Sequence, residues 1–342
     1  MVKVAVVGAG YWGKNLVRNF YSVKGGELKY VVDLDEKKLA KMEKDFPGIK
    51  GIQDVSIALN DPELAAVVIA TPAPDHFAVA KRALEAGKHV YVEKPLTLAV
   101  KDAEELVAIA QKHDRKLMVG HLMEYHSAVN WLKDYIDRGE LGDILYAYAT
   151  RVNLGIVRSH ENAWWSLAPH DISIILYLFG GQEPDYVSAR GECYLQPGIE
   201  DVVFANLHFP DKRMAQIHVS WLDPHKDRKL TIVGKKRMVV FDDTAAEKIK
   251  VFDRSVNAEK QEFANYAEYL TIRNGDISIP YLEMKEPLAL ECAHFIQCIA
   301  ENKTPRSDGL DGLRVVKVLD AAQKSLNNGG APVKLNPEPA LS

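Results

Sequence analysis

Val4-Ala5-Val6-Val7-Gly8-Ala9-Gly10-Tyr11-Trp12-Gly13 is the stretch on which the fold turns. A short apolar run meets a GxGxxG, and residues 12–21 then carry helical periodicity. A strand that feeds a helix through three spaced glycines is the phosphate-binding turn of a dinucleotide fold. The first glycine makes the tight turn, the second lets backbone approach a pyrophosphate, and the third lets helix pack on strand. The helix N-terminus attracts the phosphate charge. Asp33 ends the next apolar run, 20 positions after Gly13, where a carboxylate accepts hydrogen bonds from ribose hydroxyls. Gly8, Gly10, Tyr11, Trp12, Gly13 and Asp33 are therefore candidate cofactor residues. A 2′-phosphate beside Asp33 meets like charge, Leu34 offers it no cation, and Asp35 adds to the repulsion. The expected cofactor is NAD, with Lys37 and Lys38 the nearest arguments for its phosphorylated form.

Outward from this turn, apolar runs at 28–33, 65–70, 89–92 and 116–120 alternate with helical stretches at 36–45, 77–86 and 100–113. Continuous apolar strands alternating with helices make parallel βαβ crossovers. The first part is expected to be an α/β Rossmann domain with a doubly wound parallel sheet. After one more helix at 127–138 the pattern changes. Ala215, Ile217, Val219 and Trp221 alternate with Gln216, His218 and Ser220, and about seven such period-2 segments lie between 144 and 253. Period-2 segments joined by short polar turns indicate a large open, mainly antiparallel sheet with one apolar and one polar face. Helices at 286–299 and 312–326 close an α+β domain. The expected division is 1–120 for NAD and 121–342 for substrate binding and oligomerisation.

Composition narrows the function classes. The 342 residues exceed the ~250–300 at which one core stops growing. Hydrophobic residues make up 47% and charged residues 26%, which excludes disorder. With 43 basic and 47 acidic residues the net charge is −4, without the basic excess of a nucleic-acid binder. No apolar run reaches the ~18 residues of a membrane span, and the early apolar run ends in a glycine turn, not a signal-peptide cleavage site. Cys193, Cys292 and Cys298 have neither disulfide nor zinc spacing. A cytoplasmic protein with no metal site is expected.

Two further strand ends border the same crevice, because ligands sit at the carboxyl ends of such strands. One carries Thr71-Pro72-Ala73-Pro74-Asp75-His76, read as a proline-stiffened loop in which Thr71 reaches the cofactor. The other carries Glu93-Lys94-Pro95, where a Lys before Pro is held out of helical geometry. Gly120-His121-Leu122-Met123-Glu124-Tyr125-His126 follows the last strand. His121 and Tyr125 are i, i+4 neighbours if helical, able to meet substrate or to pack the domain junction. Arg151, Asn153 and Arg158 follow a second-domain strand, and Arg suits phosphate or carboxylate. Trp164 and Trp165 either stack on a ring or are buried.

Gly8–Gly13, Thr71–His76 and Glu93-Lys94-Pro95, together with Trp165-Ser166-Leu167-Ala168-Pro169-His170-Asp171-Ile172-Ser173, closely resemble the Gfo/Idh/MocA family of NAD(P)-dependent sugar and inositol oxidoreductases. The resemblance covers nearly the whole chain. It implies that Pro72, His76 and Glu93 join the cofactor site and that Lys94 contacts both the nicotinamide ribose and the reacting hydroxyl. It makes His170 the acid/base or substrate-binding histidine. A hydroxyl losing hydride must also lose its proton, and a His with a reference pKa of about 6.5 suits that task. One departure stands out: many members carry Asp four residues before this His, and here the position is Ser166. Asp171, adjacent in sequence, is a poor substitute because i, i+1 neighbours point to different parts of a helix.

Ser220-Trp221-Leu222-Asp223-Pro224 with Lys226 and Arg228 resembles a subgroup that accompanies surface-glycan biosynthesis. That implies NAD-dependent oxidation at C3 of a UDP-N-acetylglucosamine-type nucleotide sugar, with Lys94, His121, Tyr125, Arg151, Asn153, Arg158, Trp165 and His170 around the substrate. The alternatives are a free monosaccharide or inositol dehydrogenase, a glycoside hydrolase that uses transient C3 oxidation by bound NAD, and a non-catalytic sensor. Relatives joined through the open sheet imply a homodimer or homotetramer.

Overall fold

A computed structural model describes residues 1–258 and 270–336 and divides the chain into two compact units. The first comprises Met1–His126 and Lys285–Lys317. Its elements are β1 (Val2–Val7), α1 (Gly13–Ser22), β2 (Gly26–Val32), α2 (Glu36–Asp45), β3 (Lys50–Ile52), α3 (Val55–Leu59), β4 (Ala66–Ile69), α4 (Ala73–Glu85), β5 (His89–Glu93), α5 (Val100–Lys112) and β6 (Leu117–Gly120). The six strands are all parallel, in the order β3-β2-β1-β4-β5-β6. Strand order reverses between β1 and β4, which places the ligand crevice at the carboxyl ends of those two strands. β4 is buried throughout, as its Ala-Val-Val-Ile sequence requires.

Thr71–His76 is not the loop expected from its prolines. Pro72 caps α4, which starts at Ala73 and takes Pro74 into its first turn. Proline is tolerated there because first-turn N–H groups have no intrahelical acceptor.

The second unit comprises Ser127–Met284 and Val318–Ser342. It holds α6 (Ser127–Asp137), β7 (Ile144–Val152), α7 (Ala163–Leu178), β8 (Tyr186–Glu192), β9 (Val202–His208), β10 (Met214–Ser220), β11 (Asp227–Gly234), β12 (Met238–Asp242), β13 (Ile249–Ala258), β14 (Leu270–Ser278) and β15 (Val333–Lys334). Nine strands run in the order β14-β13-β12-β11-β7-β10-β9-β8-β15, antiparallel except for the parallel pair β7–β10. Ala147, Ala149, Ala205, Ala215 and Ile217 are buried on the face toward α7, where small residues allow close approach of the helix. The opposite face is more aromatic than its polar alternation suggested. Tyr146 and Tyr148 are exposed and stacked, and Phe204 stacks on His218 at 4.2 Å between ring centroids.

The linear division 1–120 and 121–342 thus becomes a discontinuous one. Helix α8 (Pro287–Ala300) belongs to the first unit, where Leu288, Cys292, Phe295 and Ile296 share a core with Leu16, Phe20 and Tyr91. Phe20, Tyr91 and Phe295 meet edge to face, and Cys292 is a buried core residue. The last helix, α9 (Gly309–Asn327), starts in the same unit. Among the described residues no helix is long and apolar enough to cross a membrane.

Candidate active site

In the first unit the three motif glycines are required for different reasons. Gly8 has φ +97°, and a Cβ there meets the Ala70 carbonyl oxygen at 2.7 Å. A Cβ on Gly13 falls 1.9 Å from the Gly8 carbonyl oxygen. The protein itself thus excludes side chains at both positions. At Gly10 a Cβ meets nothing within 4 Å. The bare backbone there faces open space, which is what a pyrophosphate approaching the start of α1 needs. A cleft of about 750 Å³ opens beside it, lined by Gly8, Gly10, Asp33, Leu34, Thr71 and Pro72 among others.

Asp33 Oδ2 accepts the Ala9 N–H at 2.8 Å and Oδ1 accepts the Asp35 N–H at 3.0 Å. Burial works against its charge, but these N–H groups and Lys38 outweigh it and hold the carboxyl below its ordinary range. Lys38 Nζ lies 3.3 Å from Asp33, so this lysine is engaged by the carboxylate that disfavours a 2′-phosphate. Asp35 caps α2 by accepting the Lys37 N–H at 2.9 Å. The buried Thr71 Oγ1 has no hydrogen-bond partner among the described residues, an orphan that a cofactor amide or ribose hydroxyl satisfies. Open backbone at Gly10, an oriented Asp33 and an unmet Thr71 hydroxyl fit NAD.

His76 is placed otherwise than the cofactor assignment implies. It is 1% exposed, with Nδ1 2.8 Å from the Pro95 carbonyl oxygen and Nε2 2.9 Å from that of Thr71. Burial pushes its pKa down, and the ring braces the Thr71 turn against the β5 end. Tyr11 is exposed, 5.2 Å from Lys14 Nζ. Trp12 Nε1 donates to Glu93 Oε1 at 2.6 Å, tying the glycine turn to the strand that ends in Lys94. Withdrawal from water pushes Glu93 up to about 7, against the pull of Trp12 and Lys94. Lys94 is half-buried at that strand end.

His121 and Tyr125, expected either to meet substrate or to pack, are not i, i+4 neighbours on an α-helix. They flank a single 3₁₀ turn, Leu122–Tyr125, and both are buried. His121 Nδ1 lies 2.8 Å from Asp311 Oδ2 and 3.4 Å from Glu124 Oε1. Burial opposes the imidazolium, but the two carboxyls outweigh it and hold His121 at about 10. Burial and Asp311 push Glu124 up to about 8. Tyr125 Oη meets His294 Nδ1 at 2.9 Å. Both side chains pack against the 285–317 segment of the same unit, and His121 Nε2 is buried without a hydrogen-bond partner among the described residues. Sequence spacing missed the His121–Glu124–Asp311 cluster because Asp311 lies 190 residues from His121.

In the second unit, α7 carries His170. Asn162 caps it by accepting the Trp165 N–H at 3.0 Å, and its amide donates to Glu200 and Gln323. Trp164 is fully buried and Trp165 half-buried, with Nε1 of Trp165 3.2 Å from Gln323 Oε1. Ser173 Oγ donates to the His170 carbonyl at 3.0 Å, and the His170 side chain is partly exposed. Ser166 is buried one turn before it. Asp171 is committed elsewhere: Arg151 Nε and Nη2 hold its carboxylate at 2.7 and 3.0 Å, both residues being buried. Arg151 is therefore not an open anion receptor. Arg158 is exposed and paired with Glu161 at 2.9 Å, and Asn153 sits just past β7. One residue left unassigned by the sequence is Arg228 on β11, directly opposite Arg151. The alternation of Arg228, Leu230 and Ile232 was the signal that places it on the helix-facing side.

Comparison with known proteins agrees with this architecture. Residues 2–121 match the NAD-binding Rossmann domain of the GFO/IDH/MocA oxidoreductase family, and residues 129–240 match a GFO/IDH/MocA C-terminal domain. The chain is 30% identical to the uncharacterized oxidoreductase YdgJ of Escherichia coli, over 69% of each chain. It is 25% identical to scyllo-inositol 2-dehydrogenase (NAD(+)) of Bacillus subtilis, covering 98% of this chain and 96% of that protein. It is likewise 25% identical to UDP-N-acetylglucosamine 3-dehydrogenase of Acidithiobacillus ferrooxidans, covering 92% and 94%. A solved structure of that enzyme superposes with a TM-score of 0.81 over 95% of this chain and 98% of its own. With both domain signatures in order and the NAD cradle in place, the chain belongs to the GFO/IDH/MocA family as an NAD-dependent dehydrogenase acting on a CH–OH group.

Proposed function

We propose that the chain oxidises the C3 hydroxyl of a UDP-N-acetylglucosamine-type sugar to a 3-keto sugar. The observation that carries the redox assignment is the open backbone at Gly10, tied through Trp12 and Glu93 to the turn that bears Lys94. The nucleotide-sugar assignment is supported by the likeness to UDP-N-acetylglucosamine 3-dehydrogenase over 92% of the chain. NAD supplies the hydride acceptor. Lys94 Nζ binds the reacting hydroxyl, and the His170 imidazole takes its proton. Ser166 supplies no carboxylate one turn before His170 and Asp171 is held by Arg151, so proton transfer falls to His170 and Lys94.

The test is purified protein with NAD and either UDP-N-acetylglucosamine or its uronic acid, followed by NADH absorbance and detection of the keto product. Absence of both signals with both sugars defeats the reading. The equal likeness to a scyllo-inositol dehydrogenase favours a second reading, oxidation of an unphosphorylated polyol. NADH formed from inositols and not from UDP-sugars selects it. The exposed aromatic face around Tyr146, Tyr148 and Phe204 supports self-association through the open sheet, and light scattering that shows a monomer rejects it.

A further inference from the structure

Arg151 and Arg228 occupy directly paired positions on β7 and β11. Like charges at such positions repel. Both lie on the buried face toward α7, in line with the pairs Ala149–Leu230 and Ala147–Ile232. The two guanidinium groups are unequally served. Arg151 is satisfied by the two-pronged contact with Asp171, the residue after His170. Arg228 has the Asp243 carboxylate 3.8 Å from Nη1, beyond hydrogen-bonding reach. Its Nε is buried and has no hydrogen-bond partner among the described residues. Burial and the charge of Arg151 both work against its protonated form, yet a guanidinium stays charged in a protein. An unmet donor thus sits beside the helix of His170, with Asp243 as its nearest countercharge. The Arg228 side chain keeps 36% of its surface exposed, so a solute reaches it.

We infer that Arg228 is the docking group for an oxyanion of the substrate, a carboxylate or a phosphate, with Asp171 holding Arg151 back as the second wall of the site. A guanidinium fork matches both oxyanions in geometry and charge. This rests on the reading of the chain as a sugar dehydrogenase and adds which residue meets the anionic group of its substrate. It moves anion recognition from Arg151 and Arg158, both held by close carboxylates, to a residue whose Nε is unmet and whose carboxylate neighbour lies beyond hydrogen-bonding reach.

Calorimetry on NAD-saturated protein at constant ionic strength, with inorganic phosphate and with glucuronate as probes, tests the site without a turnover assay. The native protein is expected to bind at least one probe, Arg228→Met to bind it about tenfold or more weakly, and Arg228→Lys to fall between. Because Arg228→Met removes a repulsion, it is expected to melt no lower than the native protein in probe-free buffer. Binding of neither probe by the native protein, or equal binding by Arg228→Met, overturns the inference. So does a lowered melting temperature with unchanged binding. Turnover then identifies the source. A KM raised by Arg228→Met for the UDP-uronic acid alone assigns the carboxylate, and one raised for UDP-N-acetylglucosamine as well assigns the diphosphate. Unchanged KM for both sugars overturns the inference. If the native enzyme oxidises neither sugar, the proposed function fails and the calorimetry decides Arg228 alone.

Discussion

The glycine turn of the first unit and the His170 region of the second solve different problems. In the first, backbone does the recognition: Gly8 and Gly13 are bare because protein crowds them, and Gly10 is bare where space is left. In the second, the candidate groups are side chains, and their availability depends on partners. Asp171 is spent on Arg151, while Arg228 keeps an unmet Nε. A backbone site is announced by residue type at fixed spacing. A side-chain site is decided by register and by which charges have already found each other.

The largest effect is expected on removing the residue proposed to handle the proton in each unit. General acid–base groups contribute about 10²–10⁴-fold. His170→Ala is expected to lower kcat by that order with NAD affinity unchanged, whereas Lys94→Ala lowers kcat and weakens NAD together. Fluorescence titration with NAD beside steady-state kinetics separates the two. Equal loss of NAD affinity in both variants removes the division of labour.

Next in size is the His121–Glu124–Asp311 cluster, which ties the two chain segments of the first unit together. Removing one partner of a buried ion pair costs about 3–5 kcal/mol, so His121→Ala and Asp311→Ala are each expected to lose that much in denaturant unfolding. The pH dependence has a definite sign. His121, raised from 6.5 to about 10, contributes fully below 6.5 and loses its contribution as pH rises through about 10. Glu124, raised from 4.5 to about 8, is favoured in its protonated form, so its effect also declines with rising pH. Native stability is expected to fall between pH 6.5 and 10, and more steeply than that of His121→Ala.

The same cluster marks where the sequence stopped being legible. The parallel sheet, the NAD turn and the open antiparallel sheet were readable because each rests on short-range periodicity. Thr71–His76 misled because two prolines read as a loop, although a helix start accepts them. The choice between substrate contact and packing stayed open for His121 and Tyr125 because their partners, Asp311, His294 and Ser307, arrive from a segment more than 160 residues away. Arg228 was visible as a residue but not as a site, since its meaning lies in the strand opposite.

A smaller effect separates the glycines. Gly13→Ala forces a Cβ against a carbonyl oxygen and is expected to cost about 3 kcal/mol or more. Gly10→Ala has room, so its melting temperature is expected to stay native while NAD affinity falls about tenfold. A destabilised Gly10→Ala, or one with native NAD affinity, shows that the space above it is not for a ligand.

The least effect is expected at the link between the two motifs. Glu93 is raised from 4.5 to about 7 by its withdrawal from water, and Trp12 Nε1 donates to it. An N–H bonded to a carboxylate favours the ionised form, so Trp12→Phe moves Glu93 further upward. Below the midpoint the carboxyl is neutral and the bond is weak; above it the bond is charge-assisted and roughly twice as strong. Trp12 emission, taken as native minus Trp12→Phe, is therefore expected to titrate with a midpoint near 7, and Glu93→Gln to abolish the transition. Because ionisation is disfavoured in the fold, this carboxyl lowers stability as pH rises from 4.5 through about 7, a slope that Glu93→Gln removes. A flat Trp12 signal across that range means the two motifs are neighbours without being coupled.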